Sequence, residues 1–239
     1  MSKQHSYAQW GEDHFVWDYF HRKPRGFFIE VGANDAVNLS QTYLLEQNGW
    51  EGILVEPQES CCEKLRRVRQ RSKVFQVACG APEQKGKTMF RVAAHNDRSM
   101  LASQEPDEDV EFTHSVEVDV TTLDNILLQS GNPKPDFLSI DVEGAELDVL
   151  RGFTFSKHQP ALVIVEDDVF DLRVHSHLRA HGYKLVKRTG SNNWYVPSTA
   201  VFPVELGQRL RLLRKMHLAT PLRRLKRALK ARRRKQDLT

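Results

Sequence analysis

Apolar residues recur along the chain in short runs, each closed by an acid or a glycine. Phe27-Phe28-Ile29-Glu30-Val31 runs into Gly32-Ala33-Asn34-Asp35, and Gly52-Ile53-Leu54-Val55 runs into Glu56-Pro57. Short apolar runs bounded by turn residues predict buried parallel strands. Residues 73–79 read as a third strand, 136–141 as a fourth and 161–166 as a fifth. Between them the apolar spacing becomes helical, over 38–48, 58–70, a stretch opening at Thr121-Thr122-Leu123, 146–152 and 170–180. A helix over 7–22 precedes the first strand, with Trp10, Trp17 and Tyr19-Phe20 on its apolar side. Glu12 and Asp13 stand in its first turn, where acids favour the positive dipole end. Residues 88–92 and 115–120 alternate as strands, and the polar stretches 95–100 and 105–109 read as loops. Residues 183–186 and 193–196 close the sheet as a hairpin-like pair. Strand and helix in alternation predict an α/β domain over 26–204, mostly parallel with helices on both faces. A helical segment, 1–25, precedes it and a tail, 205–239, follows.

In open α/β sheets ligands bind at the carboxyl ends of the strands, where this chain places acids. Glu56 follows the Gly32 loop at the spacing of an acid that hydrogen-bonds a ribose diol. A dinucleotide site needs G-x-G-x-x-G, so that backbone can approach a pyrophosphate. Here Gly32 is followed by Ala33, Asn34, Asp35, Ala36 and Val37, which argues against a nicotinamide dinucleotide. A loop offering carboxylates suits a positively charged ligand, such as the sulfonium and amino group of S-adenosylmethionine. Asp35 either touches such a ligand or caps the helix expected near Asn38, and it can do both. Ser40 and Thr42 either meet a ligand carboxylate or cap the same helix.

Asp141 and Glu166 end two strands expected to be neighbours, about 4.8 Å apart. With Glu143 and Asp167 they would converge beside the reacting group. Such a cluster can act as a general base. It can hold a divalent cation through Asp141, Glu166 and Asp167, or bond amides at the following helix ends. Residues 95–103 read either as part of an acceptor pocket or as a solvated loop. Cys79 reads as a small buried apolar group.

Several motifs together resemble one family. They are Tyr7-x-Gln9-x-Gly11-Glu12-Asp13, Val31-Gly32-Ala33-Asn34-Asp35, Leu45-Glu46, Gly49-Trp50-x-Gly52, Val55-Glu56-Pro57 and Asp141-Val142-Glu143-Gly144-Ala145-Glu146. In this order, across residues 7–167, they resemble the FkbM family of S-adenosylmethionine-dependent methyltransferases. Ala36 departs from the family, which usually has Gly there; the change tightens the loop without abolishing binding. The resemblance implies a Rossmann-like class I methyltransferase fold, with a seven-stranded sheet and an antiparallel final strand. It implies S-adenosylmethionine as cofactor and O-methylation of a sugar or glycan hydroxyl as the reaction. Candidate cofactor contacts are Glu30, Gly32, Asn34, Asp35, Ser40, Glu56, Pro57, Asp141 and, flanking the adenine by analogy with the family, Ala78. Candidate catalytic residues are Asp141, Glu143 and Glu166, with a divalent metal not favoured. Beside the capping reading of Glu12 and Asp13, the resemblance implies that Gln9, Glu12 or Asp13 folds over cofactor or acceptor. Two other classes stand as alternatives: a nucleotide-binding oxidoreductase, disfavoured by the missing glycines, and a non-catalytic S-adenosylmethionine-binding module, disfavoured by the acids Asp35, Glu56, Asp141 and Glu143.

The length of 239 residues suits one α/β domain with a short appendage. No apolar run approaches the roughly 18 residues of a membrane span, and the N-terminus lacks an apolar signal core. Cys61, Cys62 and Cys79 are too few for a disulfide framework. A cytoplasmic protein is the expectation. Charge is uneven: 13 of the 35 lysines and arginines fall in 205–239 beside two acids, leaving 22 basic and 29 acidic residues elsewhere. An acidic domain argues against nucleic acid as partner. In the tail, Leu206, Leu210, Leu213 and Met216 share one helical face, and Leu222, Leu225 and Leu229 resume it after Pro221. A cationic amphipathic segment of this kind predicts peripheral contact with an anionic membrane, at its inner face. The alternative is that its first half packs on the domain and the rest is solvated.

Overall fold

Period-two alternation in the first strand divides the core. In β1 (Phe27–Val31), Ile29 and Val31 face one apolar cluster while Phe28 faces another. This computed structural model describes residues 5–94, 99–104, 110–167 and 172–202, with Gly207, Leu212 and Arg214 beyond them. β1 lies near the middle of a seven-stranded sheet. The others are β2 (Glu51–Val55), β3 (Ser72–Phe75), β8 (Phe137–Ile140), β9 (Leu162–Glu166), β10 (Tyr183–Thr189) and β11 (Asn192–Pro197), in the order β10-β11-β9-β8-β1-β2-β3. The five central and flanking strands from β9 to β3 are parallel, whereas β11 runs antiparallel between β9 and β10. The order reverses at β1/β8, the switch point where open sheets bind ligands.

Helices cover both faces. Residues of α4 (Leu123–Gln129), α5 (Glu146–Arg151) and α7 (Arg173–Ala180) join one cluster: Leu123, Ile126, Leu150 and Leu178 meet Ile29, Val31 and Ile53. Residues of α1 (Glu12–Tyr19), α2 (Tyr43–Gln47) and α3 (Glu59–Val68) join the other: Val16, Leu45 and Leu65 meet Phe28, Leu54 and Trp194. A short helix, α6 (Phe155–His158), precedes β9. A second sheet of four strands, β4 (Ala78–Cys79), β5 (Gly86–Ala93), β6 (Met100–Leu101) and β7 (Phe112–Thr121), packs Phe90, Leu101 and Val120 around Ala145.

Several expected boundaries change. The single strand expected over 73–79 is two: β3 stays in the main sheet, while β4 pairs in parallel with β7. The helix expected over 38–48 shrinks to α2. Asp35 Oδ1 accepts the amides of Val37 and Asn38, and Ser40 Oγ those of Thr42 and Tyr43. These side chains compete for the amides that a helix would use. The helix expected over 7–22 begins only at Glu12, after Gly11 at φ 78°, because Asp13 accepts the Tyr7 amide and the Ser6 hydroxyl. The hairpin-like pair is present, but its second strand lies inside the sheet. Residues 95–98, 105–109 and 168–171 lie outside the described residues, as does the tail apart from its three described positions.

Candidate active site

The strand registers align five residues in one row. Val31 pairs with Val55 and with Ile140, Ile140 pairs with Val165, and Glu166 pairs with Asn192. One residue further on, Glu56, Gly32, Asp141, Glu166 and Asn192 therefore follow one another across β2, β1, β8, β9 and β11, about 4.8 Å per strand. A cleft of about 280 Å³ opens over this row.

On the β2 side, Gly32 has φ 83°, and a Cβ there would overlap the Asp141 carbonyl oxygen. Only glycine permits that approach with that backbone. The Gly32 and Ala33 amides donate to the Val55 carbonyl, turning the loop across β2. The amides of Asn34 and Gln58 donate to the two oxygens of Glu56 at 3.0 and 2.8 Å. Glu56 is 3% exposed, and burial pushes its carboxyl up to about 7 against the pull of those two amides. Gly32, Asn34, Asp35, Glu56, Pro57, Ala78 and Asp141 all line the cleft.

Glu30 lines it too, but its carboxylate is already engaged. It accepts the Gln41 amide at 3.0 Å and the hydroxyls of Thr42 at 2.6 Å and Ser40 at 3.1 Å. Arg69 stands 3.7 Å away and also donates from Nε to Glu46 at 2.6 Å. Ser40 sits behind Glu30 and does not line the cleft. Its role is to fasten the 40–43 turn. Cys79 is buried and its thiol is pushed up by burial, as a structural side chain's would be.

On the β9 side, Asp141, Glu143 and Glu166 each offer an oxygen, all within 4.8 Å of one another. Burial first, then the hydrogen bond and charge of Glu166, then Glu143 and Glu146, hold the Asp141 carboxyl well above the usual range. Glu166 Oε1 accepts the Ser191 hydroxyl at 2.6 Å. Glu143 has φ 51°, a strained conformation of the kind that collects at functional sites. Glu146 holds this turn by accepting the Gly144 amide at 2.9 Å, and its own carboxyl is pushed up to about 7 by burial. Asp167 does not belong to the cluster. Its amide donates to the Ser191 carbonyl, and Glu143 occupies the place in the candidate cation set that the sequence assigns to Asp167.

Of the N-terminal motif, Gln9 lines the cleft. Glu12 and Asp13 are buried fasteners. Glu12 accepts the Thr189 hydroxyl, the Asn192 amide nitrogen and the Trp10 backbone amide. Of the stretch 95–103, Ser99 and Leu101 line the cleft. Sequence reasoning misses Gln41, Ser139 and Asn192, all of which line it. Ser139 carries a weak signal, a polar residue inside an apolar strand beside Glu30 in register.

The donor set fits S-adenosylmethionine: a buried strand-end carboxylate for hydroxyl donors, a glycine turn pressed on the switch point, and further acids for a cation. The pattern of the methyltransferase FkbM domain matches residues 30–185. No curated protein matches the sequence significantly. Among solved structures, the chain is similar to the precorrin-6y C5,15-methyltransferase from Geobacter metallireducens, at 9% identity over 77% of this chain and 86% of that one, with TM-score 0.42. It is also similar to a methyltransferase from Geobacter sulfurreducens, at 11% identity over 77% and 76%, with TM-score 0.41. A third is the TehB-like SAM-dependent methyltransferase from Corynebacterium glutamicum, at 9% identity over 79% and 88%, with TM-score 0.41. With the domain pattern spanning well over half of its length, the chain belongs to the FkbM family of S-adenosylmethionine-dependent methyltransferases.

Proposed function

We propose that the protein methylates a hydroxyl of a sugar or glycan, using Asp141, Glu143 and Glu166 to orient that hydroxyl and take its proton. The observation that carries this reading is the convergence of the three carboxylates within 4.8 Å, directly beside the glycine turn of the cofactor loop. In this reading Glu56 accepts the ribose hydroxyls, Asn34 and Asp35 face the charged end of the cofactor, Asp141 stands beside its methyl group, and Pro57 and Ala78 flank its base. When bound, S-adenosylmethionine supplies an activated methyl group.

The chain's own work is positioning, proton uptake and exclusion of water. Holding the acceptor oxygen in line contributes on the order of 7–11 kcal/mol. A general base adds about 10²–10⁴-fold. Asp141, taking the hydroxyl proton as general base, becomes neutral. The same burial that holds Asp141 above the usual range favours that neutral product.

Incubation with methyl-labelled S-adenosylmethionine and neutral glycans tests the reading. Label in an O-methyl ether of a sugar is expected; label confined to nitrogen or carbon acceptors would overturn it. A second reading draws on the same convergence: the three acids hold a divalent cation that orients a diol. Loss of activity with a chelator and recovery with magnesium would favour it. The proposal extends to the tail, whose basic residues and leucines, spaced in the sequence as for an amphipathic helix, would bring a cytoplasmic enzyme to the inner membrane face.

A further inference from the structure

Asn192 is 4% exposed and lines the cleft. It pairs in register with Glu166, so the two side chains stand beside each other on one face of the sheet. The orientation of its amide is fixed from behind. Nδ2 donates to Glu12 Oε1 at 3.0 Å. That oxygen also accepts the Thr189 hydroxyl, and Glu12 Oε2 accepts the Trp10 amide. A carboxylate used wholly as an acceptor must face the amide nitrogen, which turns Oδ1 the other way. Oδ1 is buried and has no hydrogen-bond partner. A buried carbonyl oxygen left unpaired is costly, and native structures rarely keep one without a reason.

We propose that Asn192 Oδ1 binds the methyl acceptor by accepting a second O–H or N–H, beside the hydroxyl held at Asp141 and Glu166. This inference rests on the O-methylation reading above and names its substrate class: a neutral polyol or an amino sugar, rather than a uronate or a phosphosugar. Asp141, Glu166 and Asn192 stand consecutively across three strands, and each presents an acceptor atom. A row of acceptors is satisfied by a row of donors. An anionic group placed there would meet like charge in a poorly solvated site. The second donor also selects the position methylated, because a hydroxyl reaches the base only when its neighbour on the acceptor reaches Asn192. A substrate lacking that neighbour leaves a buried polar atom unpaired, the strongest form of polar discrimination.

The probes are neutral methyl glycosides, their matched uronates, and methyl 2-amino-2-deoxyglycosides, presented to the full chain saturated with S-adenosylhomocysteine. Saturation-transfer NMR reads binding. The wild type is expected to bind at least one neutral or amino glycoside and to bind the matched uronate at least tenfold more weakly. Asn192→Ala should weaken glycoside binding by about tenfold while affinity for S-adenosylhomocysteine is unchanged. Thr189→Val removes another donor to Glu12, together with the acceptor of the Trp194 indole N–H, without touching the cleft, and in the folded variant should leave glycoside binding intact. If Thr189→Val loses binding as Asn192→Ala does, Asn192 acts through the fastening of the N-terminal segment and the proposal falls. Unchanged glycoside binding in Asn192→Ala, or preference for the uronate, also overturns it while the O-methylation reading stands. A wild type that binds S-adenosylhomocysteine but none of the glycosides overturns both.

Discussion

Gly32 and the Asp141 carbonyl oxygen stand so close that no side chain fits between them. This contact joins the Gly32 loop, proposed above to hold the cofactor, to the carboxylate cluster, and it sets the first prediction. Gly32→Ala must accept a positive φ, which costs about 1–2 kcal/mol, and must also push β1 and β8 apart. A measurable loss of affinity for S-adenosylhomocysteine is expected by calorimetry, larger than that of Ala36→Gly. Equal affinity in Gly32→Ala and wild type would remove this contact from the account.

Glu56 supplies a pH-dependent prediction. Its folded carboxyl is raised to about 7 by burial, and the ribose hydroxyls proposed to donate to it are held more strongly by the ionised form. Affinity for S-adenosylhomocysteine should therefore fall as pH drops below about 7 and level off above it. Glu56→Gln should flatten that profile and weaken binding by about 1–3 kcal/mol. Stability moves the other way. Glu56 and Glu146 hold a proton more tightly folded than unfolded, so the cofactor-free protein loses stability as pH rises from the ordinary carboxylate range through about 7. Urea unfolding at pH 5 and pH 8 checks the sign.

Glu46 and Arg69 form a buried pair at 2.6 Å, with Arg69 1% exposed. Glu46→Ala leaves the buried guanidinium with only the longer Glu30 pairing and the Ser40 and Thr42 hydroxyls, and should destabilise by about 1–3 kcal/mol. The urea midpoint should fall with little change in slope, while the folded variant still binds S-adenosylhomocysteine. Glu30→Ala, which also frees the 40–42 turn at the cleft, should weaken both stability and binding. A Glu46→Ala variant as stable as wild type would contradict the assignment.

The tail proposal rests on sequence alone. Nine basic residues from Arg209 to Lys230 lie among the leucines, and each near an anionic surface adds about 1 kcal/mol. The full chain should co-sediment with anionic vesicles in a salt-sensitive manner, and a chain ending at Pro203 should not. Equal behaviour of the two would dismiss membrane contact.

Strand ends are legible in the sequence because Val31, Val55 and Ile140 close apolar runs against Gly32, Glu56 and Asp141. The two faces of the sheet are legible for the same reason. Asn192 is not legible. After Gly190-Ser191 it reads as a hairpin turn, and its place in the site arises from pairing with Glu166, a non-local fact. Of the two roles the sequence leaves to Ser40, the one at the start of α2 is the one seen: its hydroxyl accepts the Thr42 and Tyr43 amides and donates to the Glu30 carboxylate. Asp167 misleads through adjacency: it follows the last residue of β9, and the set of oxygens within 4.8 Å of one another is completed by Glu143, from the turn after β8. The helix over 38–48 fails because propensity cannot weigh side chains that capture nearby amides.

The central claim is that the carboxylate row serves the chemical step beside a separate cofactor loop, and the split between rate and affinity in Asp141→Asn tests it most directly. The amide removes the carboxyl whose basicity burial and Glu166 raise. Under saturating S-adenosylmethionine, methyl transfer should fall by about 10²–10⁴-fold, with affinity for S-adenosylhomocysteine within about threefold of wild type. Full turnover in the folded Asp141→Asn variant, or a loss explained wholly by weaker cofactor binding, would contradict the account.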